Sequence, residues 1–153
     1  MWKSEVSIDI EREPEAVYAV LSDLSRHSDF SAGLAQVQKT TEGPVRVGSR
    51  FRAQETVPGR FVSVAEITAL EPPRLIAWKA EVPRAMRTRW EFRLERAGAG
   101  TRLTQVSEWE PVGLAGWLML NLHRKRNAPR ENRRTLERIK HALEAQAREE
   151  VAS

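Results

Sequence analysis

The carboxyl-terminal third of the sequence constrains the fold most. Thr101–Glu110 alternates like a β-strand, and an apolar stretch, Gly113–Leu122, follows it almost directly. A strongly basic helical segment, His123–Ala147, comes next. The apolar stretch is shorter than the roughly 20 residues that a helix needs to span a bilayer. We therefore expect a long helix that closes over a cavity beside a sheet, an arrangement that favours small-molecule or lipid binding.

The rest of the chain predicts the sheet. Apolar and polar residues alternate in runs about ten residues apart, with turn signals between them, which is typical of an antiparallel meander. In the clearest run, Met86–Arg96, one face is apolar and the other is strongly charged, so we expect one face of the sheet to meet water. The predicted strands are Glu5–Glu11, Ala35–Thr41, Val47–Val57, Phe61–Leu70, Leu75–Val82, Met86–Arg96 and Thr101–Glu110.

Helical periodicity predicts two short helices after the first strand, one beginning at Pro14 and one near Arg26–Phe30. In the last helix an apolar stripe recurs at helical spacing. Pro129 should kink or interrupt that helix, because proline removes a hydrogen bond and clashes with the preceding turn. We therefore expect one helical piece near Leu114–Arg126 and a second one that ends near Arg148. The stripe is predicted to contain Leu143, Ile139, Leu136, Asn132, Pro129, Leu122 and Leu118.

A chain of 153 residues without cysteine is most simply one domain, residues 1–153. The absence of cysteine excludes a disulfide framework, a thiolate metal site and a cysteine nucleophile. The three histidines are scattered without metal-binding spacing, and no nucleotide-binding motif is present, so we expect neither a metal nor a cofactor. Since Met1–Glu5 leads directly into a strand pattern, no secretory signal is visible, and a cytoplasmic location is expected.

Positive charge is concentrated in the last helix. Between Leu122 and Lys140 there are eight Arg or Lys residues and two Glu residues. A solvated helix face explains this run most simply. An anionic membrane surface is the alternative partner, through a weak contact, whereas nucleic acid is not expected. The sequence does not fix an oligomeric state.

Taken in order, these elements resemble the helix-grip fold of the START-like superfamily, also called Bet v 1-like or SRPBCC, and most closely its polyketide cyclase/dehydrase and lipid-transport branch. The resemblance covers nearly the whole chain. The segments that carry it are Pro14–Asp23, Val47–Phe51, Glu71–Leu75, Gly100–Thr104 and Leu136–Lys140.

The resemblance implies an α+β fold, in which a curved antiparallel sheet of six or seven strands wraps around a long carboxyl-terminal helix. It also implies a cavity between the sheet and that helix, which family members use to bind lipids, polyketides, sterols, hormones or quinones. Family members often have a tryptophan-rich stretch after the first helix. Here the corresponding residues read His27–Phe30, which separates this chain from the better-known cyclases.

The candidate site residues lie on the predicted inner faces. A buried polar group without a partner costs about 1–3 kcal/mol, so polar residues on apolar faces either pair with each other or orient a ligand. The aromatic residues either pack in the core or form a flat wall for an aromatic ligand. The candidates are the polar residues Glu55, Thr88, Gln105, Ser107 and Asn132, the aromatic residues Phe51, Trp78, Trp90 and Trp109, and the covering residues Trp117, Leu118 and Leu122.

Three functions are compatible with these residues. The chain could carry or sense a hydrophobic small molecule such as a lipid, a polyketide or another polycyclic compound. It could instead be a polyketide cyclase or dehydratase, with Glu55 as a general acid or base whose pKa burial would raise. The third candidate is a peripheral interaction protein whose basic helix contacts an anionic membrane or nucleic acid.

Overall fold

A computed structural model describes residues 1–31, 34–55 and 61–152. The end of the strand predicted to reach Val57 lies outside these residues, as does Pro58–Gly59, the turn signal in the sequence that follows it. In chain order the elements are β1 (Trp2–Ile10), α1 (Pro14–Leu21), a 3₁₀ helix (Leu24–Asp29), β2 (Leu34–Lys39), β3 (Arg50–Glu55), β4 (Val62–Glu71), β5 (Leu75–Val82), β6 (Met86–Ala97), β7 (Gly100–Pro111), α2 (Gly113–Met119), a π-helical turn (Leu120–Arg124) and α3 (Lys125–Ala152).

The described strands form one antiparallel sheet in the order β1-β7-β6-β5-β4-β3-β2. Each strand from β2 to β7 pairs with its neighbour in the chain, and β1 closes the other edge against β7. The alternation of β6 has the predicted orientation, since Met86 and Phe92 are buried while Arg87 and Arg89 are exposed. The sheet packs on a helix that runs from residue 113 to residue 152, so the helix-grip fold is confirmed.

Hydrogen bonds attach the carboxyl-terminal half of α3 to the end of β1. Lys140 Nζ donates to the carbonyl of Asp9 at 2.6 Å, and the Glu144 carboxylate accepts from the backbone N–H of Glu11 at 2.9 Å. The buried Arg12 guanidinium donates to the carbonyl of Leu143 at 3.0 Å. These contacts hold α3 across the sheet while its apolar stripe of Leu136, Ile139 and Leu143 is almost completely buried.

The predicted interruption at Pro129 is wrong. Helix α3 continues through Pro129, and the departure from α-helical geometry lies earlier, in the π-helical turn at Leu120–Arg124. There the backbone N–H of Lys125 donates to the carbonyl of Leu120, five residues back. Pro129 removes the hydrogen bond to the carbonyl of Lys125, four residues back, and Lys125 directly follows the π-helical turn, so the missing bond and the irregular turn are adjacent.

The predicted course of the stripe beyond Asn132 is also wrong. Towards the amino terminus the buried positions are Ala128, Arg124 and Leu120, at steps of four residues. Leu118 and Leu122 are exposed instead. The start of the long helix is fixed by Gly116, where a Cβ would clash with the backbone carbonyl of Ala85. Helix α2 therefore lies directly on the β5–β6 turn and presents its large apolar side chains outwards.

Candidate functional site

A cavity lies between the inner face of the sheet and the long helix. The volume of this cavity is about 90 Å³, which is room for on the order of six waters. The sheet contributes most of its wall, and the 3₁₀ helix and α3 close it. Its lining includes Leu24, His27, Phe30, Phe51, Ala53, Glu55, Ser63, Ala65, Trp78, Ala80, Trp90, Phe92, Gln105, Trp109, Arg124, Glu131, Asn132 and Thr135.

Three indole rings form the aromatic wall of this cavity. Trp78 and Trp90 lie on the adjacent strands β5 and β6, directly opposite each other in the register, and their rings stack with centroids 6.1 Å apart and an angle of 6°. Trp90 meets Trp109 on β7 edge to face, at 5.4 Å. Both geometries are favourable for aromatic pairs. The wall is thus a continuous aromatic surface across three neighbouring strands.

Two hydroxyl groups hold this wall in place. The Nε1–H of Trp90 donates to Thr88 Oγ1 at 2.8 Å, and the Thr88 hydroxyl donates to the carbonyl of Ala80 at 3.3 Å. The Nε1–H of Trp109 donates to Ser107 Oγ at 3.0 Å, and the same oxygen accepts from Asn132 Nδ2 at 3.3 Å. Thr88 and Ser107 therefore orient the indoles and are not part of the cavity lining, while Asn132 joins the helix to the wall.

An ion pair forms the polar end of the cavity. Arg124 donates to both carboxylate oxygens of Glu131, at 2.7 and 3.2 Å, and its guanidinium lies 4.9 Å from the ring centroid of Trp109. The Arg124 side chain is almost fully buried, and that of Glu131 is 21% exposed. The two residues are seven positions, about two helical turns, apart on the inner side of the helix. They place a fixed positive charge next to an aromatic surface.

Glu55 lies next to this pair, at the end of β3. Burial raises the pKa of its carboxyl group, and the Glu131 carboxylate raises it further, whereas Arg124 and a hydrogen bond from Ser63 act in the opposite direction. The predicted effect of burial on Glu55 is thus present in the structure. A carboxyl group with a raised pKa beside a cavity is suited to accepting and returning a proton as a general acid or base.

Two buried polar atoms in the lining have no hydrogen-bond partner within the described residues: Gln105 Oε1 and Arg124 Nε. A buried acceptor left without a donor is costly, and both atoms belong to side chains that line the cavity. Gln105 needs a donor, and Arg124 still has an N–H to donate. These atoms define the polar groups that a ligand would have to supply.

His27, one of the three scattered histidines, is buried in the lining of the cavity. Its Nε2 lies 2.8 Å from the carbonyl oxygen of Leu21, which can only accept, so Nε2 carries the proton. The ring contacts Phe30, Trp78 and Phe92. Burial in these aromatic surroundings lowers the pKa of His27 from 6.5 to about 4, although the Leu21 hydrogen bond and Asp23 partly oppose the shift. The ring is therefore neutral at pH 7, with Nδ1 as an acceptor.

This shift predicts a pH-dependent stability. Between pH 6.5 and about 4 the unfolded chain takes up a proton that the folded chain does not, so the free energy of unfolding falls as the pH falls through this window. The full loss is roughly 3 kcal/mol. Urea unfolding of the wild type and of His27→Gln over this range measures it. The variant should show a flatter profile, and equal slopes for the two proteins would contradict the assignment.

The structure brings together most of the predicted site residues. Phe51, Trp78, Trp90, Trp109, Glu55, Gln105 and Asn132 all line the cavity. Trp117, Leu118 and Leu122 do not, since they are 53%, 40% and 72% exposed on the outside of the helix. Their expected position as the cover is taken by Arg124, Glu131, Asn132 and Thr135.

Sequence reasoning missed His27, Ser63, Arg124 and Glu131. For Arg124 a signal existed: it precedes Asn132 by eight residues, two steps of four along the buried stripe. The basic run of the last helix predicts a solvated position for Arg124. In the structure Arg130, Arg133 and Arg138 of that run are exposed, whereas Arg124 is buried. Nothing in the sequence around His27 distinguishes it from a surface histidine.

Within the described parts of the chain, no cluster of three or more His, Asp or Glu side chains could hold a metal ion. None of the described helices is long and apolar enough to cross a membrane.

Comparisons with known proteins agree with this architecture. The family model for polyketide cyclase / dehydrase and lipid transport matches residues 1–144. No curated protein matches the sequence.

Solved structures with the same fold have little sequence in common with this chain. The Zhui aromatase/cyclase from Streptomyces sp. R1128 superposes with a TM-score of 0.76 at 18% identity, over 95% of each chain. Ara h 8.0201 gives a TM-score of 0.71 at 11% identity, covering 94% of this chain and 98% of the other. The di-domain ARO/CYC StfQ from the steffimycin biosynthetic pathway gives 0.74 at 13% identity, covering 95% of this chain and 51% of that one.

At these identities the solved structures establish the fold, and the family assignment rests on the family model. The match over residues 1–144 spans the first strand, the sheet and most of α3. This chain therefore belongs to the polyketide cyclase / dehydrase and lipid transport family.

Proposed function

We propose that this protein binds a small aromatic molecule that carries oxygen substituents, in the cavity between the sheet and α3, as a carrier or sensor. The observation that supports this most strongly is the combination of an indole wall, Trp78, Trp90 and Trp109, with two unpartnered polar atoms on side chains that line the same cavity. Family membership is consistent with a ligand of this chemical class.

The cavity volume limits the size of the ligand. At about 90 Å³ the cavity is smaller than the roughly 300–1,000 Å³ of typical drug-sized ligand sites. One or two fused rings fit the space that on the order of six waters would fill. A three- or four-ring compound would require the long helix or the 3₁₀ helix to move away from the sheet.

The polar atoms limit the ligand chemistry. Gln105 Oε1 needs a donor, which a phenolic hydroxyl supplies. Arg124 Nε needs an acceptor, which a carbonyl or carboxylate oxygen supplies. A hydrogen bond from the charged guanidinium is stronger than one between two neutral groups. The Trp surfaces bind the ring, whose buried area contributes most of the affinity. A hydroxyl-bearing aromatic ketone or acid satisfies all of these requirements.

Calorimetric titration with hydroxynaphthoic acid, a two-ring compound with one hydroxyl and one carboxylate, tests the proposal. Saturable binding at one site per chain is expected, with a negative heat-capacity change from apolar burial. Two compounds serve as controls: naphthalene, which lacks the polar groups, and benzoate, which lacks the second ring. Both should bind more weakly than hydroxynaphthoic acid. Equal affinities for all three compounds, or no heat beyond dilution, would contradict the proposal.

Catalysis is the second candidate function, and the raised pKa of Glu55 is the observation that favours it. A carboxylate beside a bound ketone can remove an α-proton to give an enolate, which Arg124 would stabilise through its positive charge. Return of a proton to the carbon completes the exchange. Aldol cyclisation of a longer keto compound would begin with the same first step.

Deuterium exchange isolates this step. In D₂O the wild type should accelerate incorporation of deuterium into the methyl group of acetonaphthone, and Glu55→Gln should lose at least about 100-fold of that acceleration, the usual contribution of a general base. Calorimetry on the same variant should show binding of acetonaphthone within a few-fold of wild type. If Glu55→Gln exchanges as fast as the wild type, Glu55 is not the base.

A further inference from the structure

The outer face of the first helical turns carries an exposed apolar patch that the cavity does not use. We define it as Leu114, Trp117, Leu118 and Leu122, whose exposed fractions are 73%, 53%, 40% and 72%. They make up half of the eight large apolar side chains that are exposed among the described residues, and they lie within nine residues of one helix. At positions i, i+3, i+4 and i+8 they share one face.

Positive charge continues the same face towards the carboxyl terminus. Lys125 follows Trp117 by eight residues, and Asn121 lies between them: its Nδ2 donates to the carbonyl of Trp117 at 2.9 Å, and its Oδ1 accepts from Lys125 Nζ at 2.9 Å. Arg126 and Arg130 are exposed beyond Lys125. Residues 113–130 contain no Asp or Glu at all, so no carboxylate of this segment weakens the positive field.

We propose that this patch and the adjacent cations dock the protein on an anionic lipid surface. A helix with Trp and Leu on one face and Lys or Arg beside them lies in the membrane interface, with its apolar side chains at the headgroup boundary and its cations on the lipid phosphates. The helix is embedded in the fold through Gly116 and Leu120, so it would dock as a rigid surface feature and not span the bilayer.

Other occupants satisfy only part of this surface. A nucleic acid would engage the cations and leave four apolar side chains without a partner. The same face of a second copy would cover the apolar patch but would offer no carboxylate to Lys125 and Arg126, since residues 113–130 contain neither Asp nor Glu. An anionic bilayer complements both the apolar and the charged part.

Co-sedimentation with vesicles tests the proposal. Vesicles of phosphatidylcholine with one quarter phosphatidylglycerol should bind the protein at low salt, less at high salt because the charges are screened, and vesicles of phosphatidylcholine alone should bind it weakly. The double variants Trp117→Ser/Leu118→Ser and Lys125→Glu/Arg126→Glu should each lose roughly tenfold or more in affinity. Matched controls are Val64→Ser and Arg52→Glu, which alter exposed residues of the sheet and should bind like the wild type.

Several results would overturn the proposal. These are the absence of binding to the anionic vesicles at low salt, binding that the Trp117→Ser/Leu118→Ser variant retains in full, and binding to duplex DNA without binding to vesicles. A wild-type dimer in size-exclusion chromatography that becomes a monomer in the same variant would assign the patch to self-association instead. Circular dichroism of each variant shows that the fold is retained, which is expected because the substituted side chains are exposed.

Discussion

Replacing Arg124 with methionine is expected to lower the free energy of unfolding by about 3 kcal/mol. The substitution leaves the carboxylates of Glu131 and Glu55 without their cation in a mostly buried site. Removal of one partner of a buried pair usually costs about 3–5 kcal/mol. The lower end of this range applies here, because the Glu131 side chain is 21% exposed and can still be partly hydrated. Urea unfolding at pH 7 measures the change.

The loss should also depend on pH. Arg124 lowers the pKa of Glu55, so its removal lets that pKa rise further, and protonation of Glu55 relieves its repulsion with the Glu131 carboxylate. The destabilisation should therefore be smaller at pH 5 than at pH 8. A group with a raised pKa in the folded state contributes stability at low pH and loses it as the pH rises.

Two comparisons separate this effect from a general loss of positive charge. Arg50→Met removes an exposed arginine that pairs with Glu66 at 3.3 Å, and an exposed pair of this kind is worth under about 1 kcal/mol. Adding Glu131→Leu to Arg124→Met should restore a large part of the lost stability. If Arg124→Met costs no more than Arg50→Met, the ion pair is not the structural centre of the polar end.

Filling the cavity should abolish ligand binding. Ala80 lies on the inner side of β5, two residues after Trp78, and lines the cavity. Ala80→Phe would place a ring in the space that we assign to the ligand, and binding of hydroxynaphthoic acid should fall by at least about 100-fold, since two bulky groups cannot share a close-packed site. Calorimetry measures the affinity.

The matched control puts the same ring on the other face of the sheet. Val64→Phe on β4 adds it to a side chain that is 49% exposed, and binding should remain at the wild-type level. Ala53→Leu, a smaller filling substitution in the same lining, should weaken binding less than Ala80→Phe does. Wild-type affinity in both Ala80→Phe and Ala53→Leu, with normal thermal melts, would place the ligand elsewhere.

The sheet was predictable because one of its faces meets water. Alternation in β6 separates Met86 and Phe92 from Arg87 and Arg89, and such a period-two pattern identifies a half-buried strand without other information. The Leu75–Val82 strand was predicted to the residue, since Pro73 and Pro83 delimit it. The residues of the aromatic wall followed from the same alternation, which puts Trp90 and Trp109 on the inner face.

The polar end of the cavity could not be predicted in the same way. The rotation of the long helix before Asn132 depends on a π-helical turn, which sequence periodicity does not contain, so the exposed Leu118 and Leu122 were assigned to the inside. Arg124 reads as surface charge unless its partner Glu131 is already known. The burial of His27 results from the 3₁₀ helix folding against Trp78 and Phe92, a tertiary contact without a local sequence signal.

The position of a bound ligand tests the central claim most directly. Intermolecular nuclear Overhauser effects should connect the ring protons of bound hydroxynaphthoic acid with the side chains of Trp78, Trp90 and Phe92, all of which line the cavity. Contacts confined to Trp117 on the outer helix face, or none at saturating ligand, would contradict the assignment of this cavity as the binding site.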